Sequence, residues 1–235
     1  MKWDREFTIG FDGVLNASIN GLISKKMAST GFERVYDLVK ILDEISGISG
    51  IPYPPVIILP EARVLEDREG VSAIIFANIN YRVYGDRVNP VVETYLPLLL
   101  YGKNPVLKAI FAHELLHYIY LAIKYLREEN LVSIDIYTSS LAGIVFIDEV
   151  YQIRPELVFS KSPSYVRILT NLDKIYSKYR LASQIKRNWI DRGKPTKKVS
   201  SKDMRRPLGA ANMARMYFPD VVLERVREFM DQYVG

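Results

Sequence analysis

Apolar residues recur at helical spacing in FERVYDLVKILDEIS, where Phe32, Val35, Leu38, Val39 and Leu42 lie one, three or four positions apart. This spacing predicts an amphipathic helix running from Gly31 to near Gly47. An earlier helix over 14–27 is interrupted by Gly21. The period then shortens. VIIL (56–59), VSAIIFAN (71–78), YRVY (81–84) and VVETYL (91–96) read as strands, divided by the turn signals Asn-Ile-Asn, Gly-Asp and Asn-Pro. LPLLLYGKNP leads into a further helix, with Asn104 as its N-cap and Pro105 at its first helical position. Beyond the polar break REEN (127–130), the pattern predicts a helix from Ser139 or Ser140 to just before Pro155. Two more follow, at 165–186 and 221–233, around a loop at 186–206. The expected class is α+β: an antiparallel or mixed sheet packed on a central helix in residues 1–155, with a helical extension over 156–235.

One helix breaks its own pattern. AIFAHELLHYIYLAI (109–123) is apolar or aromatic everywhere except His113, Glu114 and His117, and the chain contains no other histidine. Residues four apart on a helix differ by about 40° in direction, so the two imidazoles project from one face. Glu114 stands about 100° round from His113, beside their point of convergence. Two neutral imidazoles with an adjacent carboxylate suit a zinc ion and a base that takes a proton from a metal-activated water. The plain alternative is a pair of core histidines with a buried glutamate. That arrangement costs several kcal/mol unless the charge is partnered, and no Lys or Arg lies between Lys108 and Lys124.

Composition narrows the chemistry. With no cysteine among 235 residues, disulfides, thiolate zinc sites and cysteine nucleophiles are excluded. Ser139-Ser140 has no spare histidine to activate it, and Gly10 with Asp12-Gly13 makes no phosphate loop. No secretory signal is expected at the amino terminus, and the apolar run of 109–123 is shorter than the roughly 20 residues of a bilayer span. A soluble cytoplasmic protein with no membrane partner is the expectation. The net charge of +5 is uneven: segment 186–206 holds nine Lys/Arg against two Asp, leaving the remainder slightly acidic. Such a segment is a solvated loop, a phosphate-contacting nucleic-acid surface, or a strap across a cleft.

His113-Glu114-Leu115-Leu116-His117, on a helix after a run of strands, resembles the zincin metallopeptidases. The resemblance implies a catalytic zinc with three protein ligands, Glu114 as general base, and a peptide substrate held along the edge strand, matched here by Val91–Leu96. Where metzincins carry a glycine and a third histidine, this chain has Tyr120 and Ile123. The likeness is therefore to gluzincins, whose third ligand is a glutamate on a later helix. Glu149 matches that position, with Asp148 and Asp135 as alternatives and Glu128 and Glu129 in the polar break. Where gluzincins often carry an acid four positions after that ligand, this chain has Ile153. Tyr151 is the candidate oxyanion stabiliser, chosen over Tyr118 and Tyr120 for its proximity to Glu149. The expected activity is zinc-dependent hydrolysis of peptide bonds. The alternatives are a catalytically silent zinc protein whose cleft binds a peptide or partner, and a nucleic-acid-associated protein using 186–206.

Overall fold

A computed structural model of the chain describes residues 8–66, 72–84, 87–127, 153–200 and 215–234. A short strand, β1 (Ile9–Gly10), leads into α1 (Asp12–Ile19). Gly21 follows at φ +73°, a left-handed conformation open to glycine at little cost, so the helix expected over 14–27 divides here. The second piece belongs to α2 (Lys25–Ser49), which starts where the Ser24 side chain accepts the Met27 amide proton at 3.2 Å. This cap places the start six residues before Gly31. Gly31 itself is a contact point: a Cβ there would stand 2.4 Å from Leu96 Cδ1 and 3.3 Å from the Phe11 ring.

Five strands follow: β2 (Val56–Leu59), β3 (Ala62–Glu66), β4 (Ser72–Ile75), β5 (Ala77–Tyr84) and β6 (Arg87–Tyr95). The first sheet runs β1-β2-β6-β5, with β1, β2 and β6 parallel and β5 antiparallel to β6. Three expectations change. The strand expected over 71–78 is two strands, because the chain crosses at Phe76 from one sheet to the other. Asn-Ile-Asn is no turn but part of β5. Asn78 is buried and its side-chain oxygen accepts the Tyr95 hydroxyl at 2.5 Å, which satisfies a residue type that otherwise favours turns. Finally, Val91–Leu96 is not an edge. Val92–Tyr95 pair with β2 on one side while β6 pairs with β5 on the other, and Leu96 begins α3 (Leu96–Tyr101). No hydrogen-bonding edge is left there for a substrate strand. Among the described residues β5 ends this sheet.

Next comes α4 (Asn104–Arg127). Asn104 is its first helical residue rather than its cap, and the side-chain oxygen accepts from Arg34 Nη2 at 3.2 Å. Arg34 also donates to the carbonyls of Leu99 and Gly102, at 3.2 and 2.8 Å, and so ties α2 to the turn that launches α4. Gly102 allows this turn to close: a Cβ would lie 2.5 Å from the Leu98 carbonyl oxygen and 3.0 Å from Leu107. Gly102→Ala is expected to destabilise the protein by about 1–3 kcal/mol through this overpacking. An unchanged urea midpoint would contradict the tight turn.

After residue 152 the chain forms α5 (Pro155–Val158), α6 (Pro163–Leu169), α7 (Leu172–Tyr179) and α8 (Leu181–Ile185), which runs into a π-helical turn at Lys186–Ile190. The single helix expected over 165–186 is thus broken, at its second break by Arg180 in a left-handed conformation (φ 48°). Nor is 186–200 a free loop. Trp189 is fully buried and its indole N–H donates to the Pro195 carbonyl at 2.7 Å, after which β7 (Thr196–Ser200) pairs in parallel with β3. The second sheet is therefore β4-β3-β7. Two last elements close the described fold: β8 (Arg215–Met216), parallel to β6, and α9 (Asp220–Val234).

α4 is the axis of the core. It packs against α2, α6, α7, α9 and β5. Phe159, Tyr165, Leu181, Trp189, Phe218 and Val222 from the C-terminal part join the same cluster as Leu42, Ile45, Phe111 and Leu115. Among the described residues, side chains from both sides of position 155 belong to this one cluster. At 24 residues α4 is long and apolar enough to cross a bilayer, a length that the 109–123 run alone understates, yet most of it is buried against other elements.

Candidate metal centre

The burial pattern of α4 isolates the site. From Ala109 to Ile123 every position is buried except His113, His117 and Tyr120. These sit at i, i+4 and i+7, within about 60° of one another around the helix, so the half-buried positions of this stretch fall along one side of α4. That side carries both histidines. The remaining circumference is packed by the core, which fixes the helix in rotation and therefore fixes where the imidazoles point.

The two rings converge, with Nε2 atoms 3.0 Å apart and planes at 85°. Two nitrogens at about 2.0–2.1 Å from a tetrahedral zinc would stand about 3.3–3.4 Å apart, so a few tenths of an ångström of opening brings them to ligand geometry. A carboxylate oxygen of Glu114 completes the group, all three ligand atoms lying within 4.8 Å of one another. Its other chemistry is exposed by what it lacks: Glu114 is buried, and Oε2 has no hydrogen-bond partner. Two converging imidazoles beside a buried carboxyl with one unpartnered oxygen fit a divalent cation.

Burial sets the protonation states. It pushes the His113 imidazole down to about 4, and it holds His117 well below the ordinary histidine value, with His113 adding to the effect. Both are neutral at physiological pH, the form that binds metals. Burial raises the Glu114 carboxyl to about 8, so without a positive charge nearby it keeps its proton.

Several supporting residues carried no local signal in the sequence. The buried Tyr53 hydroxyl donates to the Phe111 carbonyl at 2.8 Å, two residues before His113; burial raises its pKa, and the charge of Glu114 adds to the shift. Glu93 on β6 is buried between Arg63 Nη1 at 3.1 Å and Arg82 Nη2 at 3.0 Å, binding the two sheets together. Arg63 also lies over the Tyr95 ring, and the Tyr95 hydroxyl is pushed far up, first by burial. A cleft of about 1210 Å³ opens beside α4, walled in part by Tyr53, Tyr118, Asn89 and Tyr217. Its walls do not include His113, Glu114 or His117.

Of the residues singled out in the sequence, the structure brings His113, Glu114 and His117 together. Glu149, Asp148, Asp135, Glu128, Glu129 and Tyr151 lie outside the described residues. Among the described residues, no other histidine or carboxylate joins the group. No protein-family model, no curated protein and no solved structure matches this chain.

Proposed function

We propose that the protein is a zinc-dependent metallopeptidase of the zincin type, gluzincin-like in its ligand set. The observation that carries this reading is the convergence of His113 and His117 on the half-buried side of α4, with the unpartnered Oε2 of Glu114 beside them. His113 and His117 would hold the metal, with Glu149 as the proposed third ligand. Zinc bound there supplies Lewis acidity toward a carbonyl and a water of lowered pKa.

Everything else falls to this chain's own groups. Glu114 gives up its proton once positive charge sits at the imidazole pair, and its carboxylate then accepts the proton of the attacking water. It later delivers that proton to the leaving amine. The apolar walls of α4 exclude bulk water and strengthen both interactions. For an extended substrate the geometry favours β5, which ends its sheet and packs against α4, over β6, which is paired on both sides. Tyr151 is the proposed oxyanion stabiliser.

The test is metal content together with hydrolysis. Purified protein is expected to carry about one zinc per chain and to cleave a peptide library in a chelator-sensitive way. Protein that takes up no zinc would sink the site itself. A second reading, a zinc protein without catalysis, is favoured by one observation: the large cleft is not walled by the histidines. Zinc-loaded protein that cleaves nothing would support it.

A further inference from the structure

Five of the seven exposed large apolar side chains among the described residues belong to one hairpin: Leu15, Ile19, Leu22, Phe32 and Tyr36. Ile19 is 80% exposed and Phe32 62%, so these are open side chains rather than partly covered core. The edge-on contact of Phe11 with Phe32, centroids 5.7 Å apart, seats the start of α1 against α2. Leu15 and Ile19, one and two turns beyond Phe11, therefore extend the Phe32–Tyr36 face sideways. Together these side chains present on the order of 600 Å² of apolar surface, at the upper limit for a typical monomer.

The charges along α2 indicate what covers it. Lys25, Phe32, Tyr36 and Asp43 are spaced by seven, four and seven residues, which keeps them within about 20° of one line on the helix. The line reads cation, aromatic, aromatic, acid, and it is symmetric about position 34 with the charge reversed. Two α2 helices laid antiparallel about that point place each Lys25 beside the partner subunit's Asp43 and each Phe32 beside the partner subunit's Tyr36.

Neither charge has an ion-pair partner among the described residues. No carboxylate pairs with Lys25 among the described residues, and it stands in the first turn of α2, where the helix dipole disfavours a cation. One oxygen of Asp43 is shielded and has no hydrogen-bond partner. Residues 8–50 carry four basic and five acidic side chains, so the hairpin has no excess positive charge to draw it to an anionic lipid surface. With its polar rim, the apolar area approaches the roughly 800 Å² per partner of a stable protein interface.

We propose that the outer face of the α1–α2 hairpin is a two-fold interface with a second copy of this chain, in which antiparallel α2 helices pair Lys25 with the partner subunit's Asp43. Sedimentation velocity of the full chain over a micromolar concentration range tests it, with circular dichroism to confirm folding of each variant. Wild-type protein is expected to dimerise. Phe32→Glu should abolish the dimer. Lys25→Glu and Asp43→Lys should each weaken it by at least about tenfold, because each sets like charges face to face twice. The doubly reversed Lys25→Glu/Asp43→Lys chain should regain wild-type association. Rescue separates an antiparallel register from a general loss of solubility. A wild-type monomer at every concentration overturns the proposal, as does a dimer indifferent to Phe32→Glu or a doubly reversed chain no tighter than its parents. A monomer that binds vesicles containing phosphatidylserine would assign the face to lipid and overturn it equally.

Discussion

His113→Ala and His117→Ala are each expected to reduce bound zinc from about one per chain to background, with loss of the proposed hydrolysis. Each variant removes one of the two imidazoles that the structure brings to 3.0 Å from each other, leaving a single imidazole nitrogen at that point. The histidines are half-buried positions of a helix otherwise packed by the core, so truncation there is expected to leave most of that packing in place. The readout is metal analysis after gel filtration, paired with thermal melts. A saturating metal at a thousand times its dissociation constant stabilises the native state by about 4 kcal/mol, a shift the wild type should show and the variants should not. Variants that keep stoichiometric zinc would place the metal elsewhere.

Glu114→Gln should separate chemistry from folding. With the carboxylate gone, zinc is retained but hydrolysis falls by roughly 10²- to 10⁴-fold, the usual contribution of a general base. The metal-free protein responds in the opposite direction and becomes more stable. The Glu114 carboxyl titrates near 8 when folded, against 4.5 as its ordinary value. Below pH 4.5 both states hold the proton and burial carries no ionic cost. As pH rises from 4.5 to 8 the unfolded chain ionises while the folded one does not, and stability falls by about 1.4 kcal/mol per pH unit. At pH 7 the accumulated loss is about 3 kcal/mol, and the glutamine variant escapes it. His113 works with the opposite sign, losing stability as pH falls from 6.5 toward 4, but it is common to both proteins and cancels from their difference. Denaturant melts of chelator-treated protein should show the variant ahead at pH 7 and level near pH 4.5. Equal stabilities at both pH values would mean that Glu114 is not a buried acid.

What could be read along the chain was whatever a local period encodes. Leu38 and Leu42 announce α2, and His113, Glu114 and His117 announce themselves because a helix brings i and i+4 together without help from distant residues. Strand pairing carries no such local record. The β3–β7 pairing joins residues 62–66 to 196–200, and neither partner's composition identifies the other. Nothing in the VVETYL strand pattern tells that Glu93 is met at 3.1 Å by Arg63, thirty positions earlier. Asn78 and Asn80 looked like a turn because their side chains favour turns in isolation; the Tyr95 hydroxyl satisfies Asn78 inside the sheet instead. Tyr53 supports the histidine helix through a single hydroxyl on the Phe111 carbonyl, a contact that no spacing rule contains.

The seat of Phe218 against Tyr118 and Tyr125 on α4, with ring centroids 5.4 and 5.3 Å apart, has a consequence for how the chain is made. α4 emerges from the ribosome about a hundred residues before Phe218, the aromatic residue that packs on its Tyr118 and Tyr125. During that interval a helix apolar enough to cross a bilayer is only partly covered, and the parallel pairings of β7 and β8 that bring α9 home are slow, long-range events. Packing of α4 thus waits on residues 215–234. A ribosome-stalled chain halted before residue 215 should remain protease-sensitive within 104–127 and hold zinc poorly, and the same chain released at full length should protect that helix.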